Sequence, residues 1–155
     1  MKKILIACSA ALFMMSCGGP EGGYQAKEGD ETAEKPTIEE YDPHRGEGKF
    51  KDYQPSAALN ASMAESGEKV YDLKCASCHK LSAEMLVGPG WKGVTERHSP
   101  DWILNFMTNT DAMLDKDPKA QAMLEICMVR MPNQNLSDDD AKDIFEFMRK
   151  NDGVK

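Results

Sequence analysis

The residues best suited to chemistry are Cys75-Ala76-Ser77-Cys78-His79. Two thiols three positions apart at the end of a helix, followed at once by an imidazole, form the pattern for covalent haem attachment. The spacing has a physical reason. The thiols reach the two vinyl groups of one porphyrin as thioethers, and the next residue presents a ring nitrogen to the iron from the same side. Two other chemistries use paired cysteines. A zinc half-site needs a second ligand pair at similar spacing, and only His44, His98 and Cys127 remain, scattered singly. A thiol–disulfide redox pair needs a strand-to-helix setting, and the chain carries no convincing period-2 strand pattern. Cys75 and Cys78 are therefore expected to hold the porphyrin, and His79 the iron.

The opposite side of the iron calls for a separate argument, because the chain has 11 methionines. Met63, Met107, Met113, Met123 and Met148 lie on apparent helix faces and read as adaptable core fillers. Met131 differs: Pro132 fixes the chain just after it, and the loop places it before a capped helix, so it can project into a pocket. It is the expected sixth ligand, with Met128, His98 and an open position as rivals. His98 sits in the polar run Thr95-Glu96-Arg97-His98-Ser99 and reads as surface, as does His44. Trp91 and Trp102 read as haem-wall and core residues. Trp102 stands one turn into a capped helix, where its indole N–H would meet a haem propionate. Arg97 and Lys92 are either propionate partners or solvated surface cations. Cys127 reads as a small buried hydrophobe, with a disulfide-linked dimer or a fallback ligand as lesser alternatives.

The elements that must position these groups are helical, and no repeat occurs. The first helix is expected from about Ser62 to Cys75, with Met63, Val70, Tyr71 and Lys74 near one face and Gly67 where another helix approaches closely. A Gly88-Pro89-Gly90 loop follows. Ser99-Pro100-Asp101 supplies an N-cap, a proline at the first helical position and a first-turn acid, so Trp102 to Asn109 is helical. Asp117-Pro118 repeats the device and opens a helix through Ala122, Met123, Ile126 and Cys127. The last helix starts at Ser137 with a capping-box-like Asp140, buries Ala141, Ile144, Phe145 and Met148, and stops near Gly153. Four short helices bury little surface for their size, and a large apolar cofactor is the staple such a domain needs.

At 155 residues and 29% charged, the chain fits one compact domain plus non-core sequence, which excludes a large multidomain enzyme. A formal charge of −7 disfavours nucleic acid and anionic membrane surfaces and suits a basic partner surface. Lys2-Lys3, the apolar run Ile4 to Met15 and Ser16-Cys17 form an export signal too short to span a bilayer comfortably. It looks like a bacterial lipoprotein signal, which makes residues 1–16 the leader and Cys17 the lipidated N-terminus; an ordinary signal cut nearby is the alternative. The expected location is the periplasmic side of the cell envelope, anchored by lipid to a bacterial membrane. Loss of Lys2 and Lys3 leaves 17 basic against 26 acidic residues, a formal −9. Residues 17–60 form an acidic Gly/Pro-rich tether, in which 41–55 either continues the tether or lies as an ordered strap, since Tyr41, Phe50 and Tyr53 are large apolar groups. Residues 61–155 are the expected domain.

Over about residues 60 to 153 the chain resembles the small class I monohaem cytochromes c. The resemblance rests on Cys75, Cys78 and His79, on Gly67 and Tyr71, on Gly88-Pro89, and on Met131-Pro132 before the last helix. It implies an all-α fold of four or so short helices around one covalent haem c. It also implies that the first and last helices cross at Gly67 and Tyr71 against a Phe145/Met148 face. In the family the Gly-Pro lends a carbonyl to the proximal imidazole, so the resemblance assigns that carbonyl to Pro89. Met131 through Ser137 is similar to the distal-ligand loop of bacterial members. A weaker likeness is to lipoprotein cytochromes that accompany respiratory reductases such as nitrous oxide reductase. The implied activity is single-electron carriage, as a monomer, from a quinol-oxidising complex to a terminal reductase or oxidase with a basic docking surface. A haem enzyme or gas sensor with an open sixth site, and a fixed subunit of a larger oxidoreductase, are the alternatives.

Overall fold

The structure, a computed structural model, describes residues 41–155. The expected leader, Cys17 and the first part of the tether lie outside the described residues. Six helices follow one another, α1 (Ala61–Lys74), α2 (Val94–Arg97), α3 (Pro100–Thr108), α4 (Thr110–Lys116), α5 (Pro118–Cys127) and α6 (Asp138–Asn151), with no strand among the described residues. No helix among them is long and apolar enough to cross a membrane.

Local chemistry accounts for most helix starts. The side chains of Asn60, Ser99, Asp117 and Ser137 accept the backbone N–H of Met63, Trp102, Ala120 and Asp140, satisfying donors a helix start leaves unpaired. At Ser137 the bond is reciprocal, because Asp140 accepts the Ser137 N–H in return. Sequence reasoning missed the other two helices. In α4, Thr110, Met113 and Leu114 are buried but no side chain caps the start. The start of α2 is capped from far along the chain, where the Asp152 carboxylate accepts the N–H of Gly93 at 2.5 Å and of Thr95 at 3.0 Å.

The frame is the crossing of α1 and α6. A Cβ on Gly67 would stand 2.0 Å from the Asp143 carbonyl oxygen, so only glycine permits this approach. Ala64, Gly67 and Tyr71 bury the face of α1, while Met63, Val70 and Lys74, expected near it, are half-buried or exposed. The aromatic partner of Tyr71 on α6 is Phe147, with ring centroids 5.4 Å apart, and not the expected Phe145, which meets Tyr53 at 6.0 Å. In α5 the exposed residues include Ala122 and Ile126, and the inward residues are Ala120, Met123, Leu124 and Cys127, at spacings of three and four.

The start of the folded body moves from 61 to at least 41. Phe50 is buried, its N–H donates to Asn105 Oδ1 at 2.9 Å, and Asn105 Nδ2 donates back to the Phe50 carbonyl at 3.0 Å. The Tyr41 hydroxyl donates to Asp117, and the N–H groups of Asp52 and Tyr53 reach the Asp101 carboxylate at 2.8 and 2.9 Å. Gly46 takes a positive φ of 71° where a side chain would collide with Met113. Farther along, Arg149 pairs with Glu146 at 2.6 Å and donates to the Ser56 and Ala57 carbonyls, and Glu146 accepts the Asn60 N–H. Residues 41–60 are thus a strap tied to α3, α5 and α6.

Candidate cofactor site

The chain folds tightly where α1 ends. The N–H groups of Cys75 and Ala76 both donate to the Tyr71 carbonyl, and those of Cys78 and His79 both donate to Cys75 at 3.0 and 2.9 Å. This turn sets the two cysteines and the histidine as one unit. Tyr71 pins it from below, its hydroxyl donating to the His79 carbonyl at 2.6 Å. The loop that follows returns to it, with the N–H groups of Val87 and Gly88 donating to the Cys78 carbonyl.

His79 is held on three sides. Its Nδ1 lies 2.9 Å from the Pro89 carbonyl oxygen, which can only accept, so Nδ1 carries the proton and Nε2 keeps a free lone pair. Gly88 lies against the ring: a Cβ there would stand 2.4 Å from Cε1. Trp91 closes the third side, with ring centroids 5.7 Å apart. Burial pulls the imidazole pKa below its usual value, with the Pro89 bond opposing, so the neutral form, the one able to bind a metal, prevails. Burial likewise pushes the Cys75 thiol up to about 11, keeping it protonated.

His79 faces two adjoining voids that open to solvent, the second the larger, and Met131 lines both. Phe106, Leu114, Ala120 and Leu124 make the first largely apolar. Met128 takes the left-handed C-cap of α5 with φ 54° and is 86% exposed, which removes it as a rival ligand. Met123 was read as core packing, yet it lines both voids beside Met131. The i, i+3, i+4, i+7 run of Ala120, Met123, Leu124 and Cys127 was the sequence signal for it. Cys127 is half-buried and lines the first void, which is more than a core filler's position.

Two expectations about the far wall are corrected. The Trp102 indole N–H donates to the buried Asp117 carboxylate at 3.1 Å, so it is not left for a propionate. His98, read as surface, is half-buried, and its Nδ1 is buried. Its ring stacks on Trp102 at 4.0 Å and 14°, and it lines the larger void with His79 and Met131. Arg97 is exposed and donates to the Gly90 and Lys92 carbonyls.

These residues fit a haem. A neutral imidazole with its outer nitrogen fixed, two cysteines locked in the same turn, a thioether on the same void and apolar walls are the donor set and the dry surroundings that the group requires. Cys75 and Cys78 would hold the porphyrin, His79 and Met131 the iron.

An all-α frame built on an α1–α6 crossing, with this turn between them, defines the class, and the comparisons agree. The profile of the cytochrome c family matches residues 64–152, and the chain belongs to that family. Its cofactor is accordingly one covalently bound haem c. A "cytochrome c-553-like" protein of Synechocystis is 29% identical over 65 residues, which make up 41% of this chain and 62% of that relative's own length. Cytochrome c from Rhodothermus marinus superposes with a TM-score of 0.66 at 28% identity, covering 68% of this chain and 90% of that one. An engineered form of the Rhodothermus protein bound to a carbene intermediate has the same identity and coverage and a TM-score of 0.62.

Proposed function

We propose that the protein carries single electrons in an exported respiratory chain, held near a bacterial membrane by a lipid on Cys17. The observation that carries this reading is the placement of the Pro89-bound His79 and of Met131 on the same apolar voids. Haem c, when bound, supplies an Fe(III)/Fe(II) couple. The chain does the rest. Pro89 fixes the imidazole tautomer, and Met131 offers a soft thioether that favours the reduced iron and raises the potential. Phe106, Leu114 and Leu124 exclude water, so little reorganises as charge changes. With His79 and Met131 both holding the iron, the chain would leave no place there for a substrate.

Partners are proposed to be redox proteins with basic docking rims, a quinol-oxidising complex on one side and a terminal reductase, nitrous oxide reductase among them, or an oxidase on the other. Exposed apolar groups support transient docking: Val87 and Val129 at the first void, and Met85 and Ile126 on a neighbouring cleft that shares Pro89, Met123 and Cys127 with it. The protein works as a monomer on the periplasmic side. Stopped-flow oxidation of the reduced protein by candidate reductases, repeated across ionic strength, tests this. Rates that fall steeply with salt support the basic rim, and flat rates refute it.

A second reading, a ligand-binding haem protein, has one observation in its favour: the engineered Rhodothermus relative is described with a carbene intermediate bound. A high-spin ferric spectrum in this protein would select that reading.

A further inference from the structure

His98 Nδ1 is a buried nitrogen with no hydrogen-bond partner among the described residues. An unmade bond at such an atom is costly, so a partner is to be expected when the protein is complete. The ring is held in its plane by its neighbours. It is stacked on Trp102, which is stacked on Phe106 at 5.1 Å and 9° and tied through its N–H to Asp117. Nor is Asp117 the partner, since its carboxylate already accepts from Trp102, Tyr41 and the Ala120 N–H. The ring lines the same void as His79 and Met131. The charged groups that act on it are Arg97 beside it and Lys119 and Asp117 from α5 and its cap, with the Tyr41 hydroxyl on Asp117. Two cations against one committed carboxylate favour a second anion. Haem brings two carboxylates into such a void.

We propose that His98 Nδ1–H donates a hydrogen bond to one haem propionate, the role the sequence suggested for Trp102. The proposal rests on the haem reading above. Burial first, then Lys119 and Arg97, with Asp117 opposing, push the His98 pKa down to about 4. The ring therefore serves as a neutral donor at pH 7, and a propionate beside it draws that value upward. A donor to the ionised carboxylate lowers the propionate's own pKa and spreads its negative charge, which otherwise favours the ferric state. Loss of the donor lowers the midpoint potential and moves its acid-side inflection to higher pH.

The test uses the haem-loaded protein, wild type, His98→Ala and His98→Asn, in potentiometric titrations from acid to alkaline pH. The ferrous, diamagnetic wild type is also examined by NMR for a slowly exchanging Nδ1 proton. The expected result is a protected Nδ1 proton and a lower potential with a displaced inflection in His98→Ala. His98→Asn, whose amide stands where Nδ1 was, should return toward the wild-type curve. A His98→Ala curve superimposed on wild type overturns the proposal. So does an Nδ1 proton exchanging as fast as that of exposed His44, a readout that stands even where the alanine variant fails to fold. Absence of covalent haem in a pyridine haemochromogen assay would instead remove the haem reading beneath it.

Discussion

Replacing Gly88 by alanine places a methyl 2.4 Å from His79 Cε1, 2.9 Å from Nδ1 and 3.0 Å from Nε2. Ordinary carbon contacts begin near 3.4 Å, so the ring or the loop must give by about 1 Å. The ring is no flexible tip: Nδ1 is bound to the Pro89 carbonyl of the next residue, and Trp91 stands behind it. Overpacking of this kind costs about 1–3 kcal/mol. Swinging the ring away instead forfeits the Pro89 bond, about 1 kcal/mol. Against this, alanine restricts the unfolded chain and returns about 0.4–1 kcal/mol. The net expectation is a loss of up to about 2.5 kcal/mol, together with a tilted imidazole. Guanidinium unfolding followed by far-UV circular dichroism measures the first, as a midpoint lower by up to about 0.8 M. The ferric visible spectrum reports the second. A Gly88→Ala protein with the wild-type midpoint and an unaltered spectrum would refute the view that Gly88 seats the proximal ring.

Gly67→Ala should be more damaging, because its methyl would lie 2.0 Å from a backbone oxygen of Asp143 that cannot rotate aside; a loss of about 3 kcal/mol or more in the same unfolding assay is expected. Glu146→Ala strands the Arg149 guanidinium, whose side chain is 8% exposed, and frees the Asn60 N–H, so about 3–5 kcal/mol should be lost. Ser137→Ala removes one half of a capping box and should cost about 1 kcal/mol without touching the spectrum. Phe50→Ala should cost about 3–4 kcal/mol and speed proteolysis within 41–60, which an unattached strap would not show.

The parts of the fold legible in the sequence are those whose causes are local. The Ser99, Asp117 and Ser137 caps, the proline at position 100 or 118 and the three-and-four spacing in α6 all act within a turn or two. The proximal turn was legible for the same reason, since Cys75 to His79 is one contiguous run. What stayed hidden depends on groups distant in sequence. Asp152 caps α2 from 59 residues away, and the strap is held by Asn105 and Arg149. His98 read as surface because its neighbours in sequence are polar, whereas its neighbours in space are Trp102 and the haem-side void. Trp102 is buried and lines the larger void, but its partner, Asp117, comes 15 residues later, where the sequence alone shows only a helix cap. Charge is a similar case. Residues 41–155 hold 15 basic and 19 acidic side chains, so more than half of the −9 expected of the mature chain lies in 17–40, outside the described residues.

The most direct test of the account is the absorption spectrum of the purified, haem-loaded protein, ferric and then ferrous, for wild type and Met131→Ala. The account predicts a low-spin c-type spectrum in wild type with the weak long-wavelength sulfur-to-iron band, and loss of that band in the variant. A high-spin wild type, or a band that survives removal of Met131 and disappears instead in Met123→Ala, would contradict the His79/Met131 pair on which the electron-carrier reading stands.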